Sequence, residues 1–175
     1  MPLRTEHINF NDEIESLRAD MEELAEQQAE LAQGDAPEQQ VKQVLQQGNE
    51  LNNQINILEA FRDGEIHGVE ASEGVELAGL TAGEVNLVED VVDKHTSVRH
   101  RDAWVAVGTR EGPYLKHDPG DGLTVGRVED SVIAVADLPL PYVRWAEEKI
   151  SELSHLSEGQ GNGFLRLVQE KTEGT

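Results

Sequence analysis

The sequence predicts a mainly α protein: an N-terminal antiparallel helical hairpin (a coiled coil), then a small helical domain with a short β-hairpin-like region. Three observations predict it. Apolar residues recur at alternating three- and four-residue spacings over two long stretches before residue 60. The segment GDAPE, residues 34–38, breaks that pattern once. Beyond residue 63, glycine clusters, a Thr-x-x-Glu signal and paired prolines mark off shorter elements. The expected division is residues 1–63 for the hairpin, 64–158 for the α-rich domain and 159–175 for a flexible tail.

Residues 11–33 carry Ile14, Leu17, Met21, Leu24, Gln28 and Leu31, a seam with one polar member. In GDAPE, Gly34 suits a helix C-terminus, Asp35 an N-cap and Pro37 a first turn, while Glu38 closes an Asp-x-x-Glu capping box. Val41, Val44, Gly48, Leu51, Ile55 and Leu58 then resume the same spacing. Ile14 and Val41 are not separated by a whole number of heptads, so the seams are out of phase and the break is a turn. Each arm spans roughly 35 Å at about 1.5 Å per residue. Gln28 and Gly48 are weak seam residues, and the first arm sets eight acids against Arg18. A seam this thin favours completion by another copy or a partner chain; the competing reading is a self-contained hairpin propped on the globular part.

Glycines 64, 68, 74 and 79 among alternating apolar residues suggest the hairpin-like strands. Thr81-Ala-Gly-Glu84 is a capping box for a helix over 82–95 that buries Val85, Val88, Val91 and Val92. RDAWVAVGT is compatible with helix or strand, REGPYLKHDPGDG is turn-rich, and RVEDSVIAVADL predicts a short helix. Pro139 and Pro141 stop that helix and start another. Val143, Ala146, Ile150 and Leu153 form its apolar stripe, with Leu156 near the end; it is expected to pack on the 82–95 helix. Trp145 lies at the stripe's edge, where it serves either the core or an interface.

Charge excludes more than it assigns. With 35 acids against 14 bases the net charge is −21, which repels nucleic-acid phosphates and anionic lipid, so neither is expected as a partner. Acids interleaved with spaced apolar residues argue for a solvated surface, of the kind an extreme halophile uses, rather than for disorder. Absence of cysteine removes disulfides and thiolate chemistry. A clean apolar run such as Val132–Ala136 is far short of the ~20 residues a spanning helix needs, and the first ten residues lack a secretory h-region. His95 and His100 diverge on one helix, and His117 and His155 have no partner nearby in sequence, so no metal is expected. HDPGDG lacks the alternating carboxylates of a calcium loop, which leaves Asp118 and Asp121 as turn formers. There is no phosphate-loop glycine spacing and no Gly-x-Ser-x-Gly elbow, and in so acidic a chain paired carboxylates say nothing about catalysis. No enzyme, and no cofactor, is expected.

One order of motifs is informative. Leu80, Thr81 and Glu84 open a helix; Gly112, Pro113 and Tyr114 form a mid-domain turn; Leu138 and Pro139 precede a last helix through Val143 and Ile150 to Leu153, Ser154, Leu156 and Ser157. This order resembles the tail assembly chaperones of long-tailed viruses, over roughly residues 75–158. His155 stands where that family usually has glycine, Tyr114 where it has leucine or phenylalanine, and the N-terminal coiled coil is a departure. The resemblance implies a non-enzymatic protein that coats a hydrophobic tape-measure protein while tail tube subunits assemble, in the cytoplasm of the host cell. It also implies a longer isoform made by frameshifting. The expected partners are thus that client, or another tail protein, and further copies of the chain. Leu17, Leu24, Leu51, Leu58, Trp145 and Leu153 are the candidate contact residues, each of which could equally be core. The alternative is a structural virion or scaffold protein whose coiled coil serves permanent assembly.

Overall fold

The structure is a computed structural model and describes residues 4–157. The tail expected over 159–175 lies outside the described residues. In chain order the elements are β1 (Thr5–Asn9), α1 (Phe10–Gln33), α2 (Glu38–Asp63), β2 (Gly74–Ala78), α3 (Ala82–Lys94), α4 (His100–Gly108), β3 (Thr109–Glu111), α5 (Val125–Ala136) and α6 (Leu140–Ser157). A single 3-10 turn at Pro119–Asp121 precedes α5. The mainly helical class, the N-terminal antiparallel helix pair and the smaller helical region with a small sheet are as the sequence predicts.

Helix α1 starts where Asn9 Oδ1 accepts from the backbone N–H groups of Asn11 and Asp12, at 2.9 and 3.3 Å. The turn after it differs from expectation. Helix α2 is capped by Pro37, whose carbonyl accepts from Gln40 and Val41, and no side chain caps it. An Asp35 cap would need Ala36 in helical conformation, and Ala36 precedes a proline, which disfavours that conformation. The helix therefore begins two residues late for the Asp35 box.

The strands are also arranged differently from a local hairpin. Between residues 64 and 80 there is one strand, β2, and it is the centre of an antiparallel sheet ordered β1-β2-β3. Thr5 faces Ala78 and Asn9 faces Gly74 on one side; Leu77 faces Thr109 on the other. Gly64 and Gly68, both at positive φ, turn the chain instead of pairing it. Val75 and Leu77 point into the core, leaving Glu76 on the outer face.

RDAWVAVG is helical, and α4 is the central helix of the body. Ala103, Val105, Ala106 and Val107 are all fully buried, so apolar residues run around the helix and erase the periodicity that would have identified it. The capping box of α3 forms through Thr81 and Glu84, and Leu87, Val88 and Val91 are buried, with Val85 and Val92 half-covered. Helix α3 packs on α4 and α5. Helix α6 does not pack mainly on α3, as expected, but on α4, α2 and β2. The reason is that its buried face is wider than one stripe: Tyr142 and Trp145 are as buried as Val143, Ala146, Ile150 and Leu153. The extra width meets the foot of the hairpin, and one continuous core runs from Ile14 and Leu58 through to Val132. No helix of the described residues is long and apolar enough to cross a membrane.

Candidate protein-contact surface

The two predicted seams face one another within the chain, with α1 and α2 packed along each other. Coverage falls along the arms. At the foot, Ile14, Leu17, Ile55 and Leu58 are buried. Further out, Met21, Leu24, Gln28, Leu31, Val41, Val44, Gly48 and Leu51 are only half-buried, and no residue from 22 to 50 is buried. Over that distance each arm covers one stripe of the other and nothing covers the remaining surface. Such a pair is held by a narrow apolar contact. The amide oxygen of Gln28 is shut off from solvent with no donor. Leu45, beside the seam, is 51% exposed.

The six candidate contact residues separate along the same gradient. Leu17, Leu58, Trp145 and Leu153 are core residues of the chain itself, whereas Leu24 and Leu51 sit half-covered on the arms. Trp145 shows why. Its ring packs edge-on against Phe10 at 6.1 Å and tilts against Tyr142 at 5.5 Å, while Tyr142 stacks on Phe61 at 4.1 Å and meets Tyr114 edge-on at 5.6 Å. Five of the seven aromatic side chains thus join the hairpin foot to α6. Trp145 Nε1 donates to Glu13 Oε1 at 3.0 Å, and Lys149 Nζ reaches the same oxygen at 2.9 Å. Burial lowers the Lys149 pKa, but the Glu13 hydrogen bond and the charges of Glu13, Glu152 and Glu6 outweigh it and hold the amine above its ordinary value.

Ionisable groups are drawn into structural pairs. The phenol of Tyr142 donates to that of Tyr114 at 3.0 Å, and Tyr114 shares a 2.8 Å hydrogen bond with Thr109. Burial raises both phenol pKa values, that of Tyr142 well above the ordinary value. His95 pairs with Glu129 and His100 with Glu89. His117 Nδ1 meets Ser131 Oγ at 2.7 Å, and burial followed by the Arg110 charge lowers its pKa. Asp118 Oδ1 accepts from the Gly120 N–H at 2.8 Å, the turn-forming role expected of it.

One grouping was not legible in the sequence. Strand register places His7, Glu76 and Glu111 side by side on the outer face of the sheet, with their ligand atoms within 4.8 Å of one another. They could offer three ligand atoms to a divalent cation. His7 and Glu111 are exposed and no buried group orients them, so the set is also what an acidic sheet surface produces by itself. A cleft of about 340 Å³ lies at the hairpin foot between α2 and α6, lined by Glu50, Asn53, Leu140, Arg144 and Glu148 among others. Burial, then the neighbouring carboxylates of Glu152, Glu50 and Glu147, raise the Glu148 pKa.

Comparison with known proteins adds no assignment. No family model, no curated protein and no solved structure matches this chain.

Proposed function

We propose that this chain is a non-enzymatic, tail assembly chaperone-like protein that holds an amphipathic helical client, a tape-measure protein, in solution during assembly of a virus tail. The observation that carries the reading is the arm of residues 22–50, whose apolar stripe is half-covered along its whole length while its foot is locked into the body. A client helix laid along that stripe would bury it, as amphipathic helices do in apolar grooves. The acidic exterior, −21 overall, would keep the complex dissolved. The resemblance supports the same reading. Its first and last motifs meet in the fold, where Ser154 Oγ accepts from the Leu80 N–H at 2.9 Å, one residue before the Thr81 cap.

Co-expression with a tape-measure protein tests the proposal. The client stays in the soluble fraction and co-purifies with this chain; a client that is insoluble with and without it ends the proposal. Recovery of the chain at fixed stoichiometry from purified particles would instead support the structural virion reading.

A further inference from the structure

Strand register gathers three metal-ligating side chains on the outer face of the sheet. His7 of β1 faces Glu76 of β2, and Glu76 faces Glu111 of β3. Each comes from a different strand, so main-chain pairing, and not loop conformation, sets their spacing. His7 meets its two partners only through the sheet.

A bulge decides what stands opposite Glu76. Leu77 pairs with Thr109, and an unbroken antiparallel ladder would then set Arg110 against Glu76. The register instead shifts between Glu76 and Leu77, so that Arg110 is passed over and Glu111 takes the place. The displaced guanidinium is used elsewhere: it donates to the Val107 carbonyl at 2.7 Å and to Glu84 at 2.6 Å. The ladder thus gives up an ion pair for two carboxylates directly opposite one another, an arrangement that costs stability. No ion pair among the described residues offsets it, since none involves His7, Glu76 or Glu111. An acidic surface produces neighbouring glutamates by itself. It gives no reason for passing over an available arginine, or for the imidazole beside the pair.

We propose that His7, Glu76 and Glu111 bind one divalent transition-metal ion of the zinc type. Ligands about 2.0–2.2 Å from a tetrahedral zinc lie roughly 3.3–3.6 Å from one another. The three ligand atoms already fall within 4.8 Å of one another, so side-chain rotation closes the set while the strands stay in place. The cation supplies the positive charge that the bulge withholds. A nitrogen ligand favours zinc, cobalt or nickel over magnesium and calcium, which prefer oxygen alone. That preference matters in a chain of net charge −21, whose other carboxylates attract hard cations without discrimination. Three protein ligands leave a fourth position for water. Bound there, the ion ties β1 to β3 across the central strand.

The test uses the full chain, cleared of metal with a chelator and titrated with zinc chloride in about 1 M KCl, where diffuse attraction to the acidic surface is screened. Calorimetry should show one equivalent bound, and Co2+ in its place should absorb visible light more strongly than the aquo ion. His7→Ala, Glu76→Gln and Glu111→Gln should each weaken binding by more than about tenfold, since loss of even an outer-shell partner costs that much. Glu111→Gln has a second readout. It relieves the facing carboxylates, so the thermal midpoint in chelator rises while the further rise with zinc is lost. His67→Ala and Glu70→Gln, exposed positions between α2 and β2, remove one imidazole and one carboxylate and should leave binding unchanged. A wild type that takes up zinc only in the weak, multiple manner shared by every variant overturns the proposal. Triad variants that bind as tightly as wild type, or equal losses in the two controls, overturn it as well.

Discussion

Trp145 and Glu13 lie 132 positions apart in the chain, yet the indole N–H of one donates to the carboxylate of the other at 3.0 Å. With Lys149 on the same oxygen, this contact fastens α6 to the first turns of α1. Replacing Glu13 with alanine leaves a buried indole N–H without an acceptor and Lys149 without its nearest counter-charge. The expected loss is about 2 kcal/mol, within the range for hydrogen bonds to charged groups. Glu13→Gln keeps an acceptor and should lose less. Denaturant unfolding at fixed salt reads both, and an alanine variant as stable as wild type would remove this contact from the account.

The chain has two tyrosines, and both are in the buried pair of Tyr114 and Tyr142. Their folded-state pKa values are raised, so their contribution to stability is complete below the unfolded value of about 10 and is lost as pH climbs beyond it. Tyrosinate absorbance should accordingly stay flat past pH ~10 and appear together with the loss of helical circular dichroism. A separate titration near pH 10 in folded protein would contradict the burial of the pair.

Gly79 lies against the main chain of α6. A Cβ there would stand 2.7 Å from the carbonyl carbon and oxygen of Leu153 and from the Ser154 nitrogen, all backbone atoms. Gly79→Ala therefore displaces the helix end and strains the Leu80–Ser154 hydrogen bond beside it. Overpacking of this kind costs about 1–3 kcal/mol. The expected readout is a lowered thermal midpoint without change in oligomeric mass, and an unchanged midpoint would refute the close approach.

Salt should stabilise this protein over an unusual range. At −21, self-repulsion opposes the compact state, and screening shortens from about 10 Å at 0.1 M to about 3 Å at 1 M. The thermal midpoint should rise steadily from about 0.1 M to above 1 M KCl. A midpoint insensitive to KCl would separate the acidic composition from any demand for brine.

The hairpin was legible because its information is local: seam spacing, a break and a proline are read within one heptad of each residue. The α3 cap was legible for the same reason, since Thr81 and Glu84 are three residues apart. What could not be read depends on distant partners. TEHIN is a strand only because Gly74–Ala78 lies beside it, and the His7, Glu76 and Glu111 grouping exists only in that register. Helix α4 was ambiguous because full burial removes periodicity. The spacing puts Trp145 at the margin of a single stripe, since the second buried sector of α6 exists only against the hairpin foot.

The pairing of β1 with a strand on the far side of the hairpin also fixes an order of events during synthesis. The arms emerge from the ribosome and can close on each other while β1 still waits for Gly74–Ala78 to be translated. Phe10, Ile14, Leu58 and Phe61 then remain bare at the base of a finished rod until α6, the last described helix, arrives to cap them. A nascent chain halted anywhere before that point displays a sticky foot that the mature fold conceals.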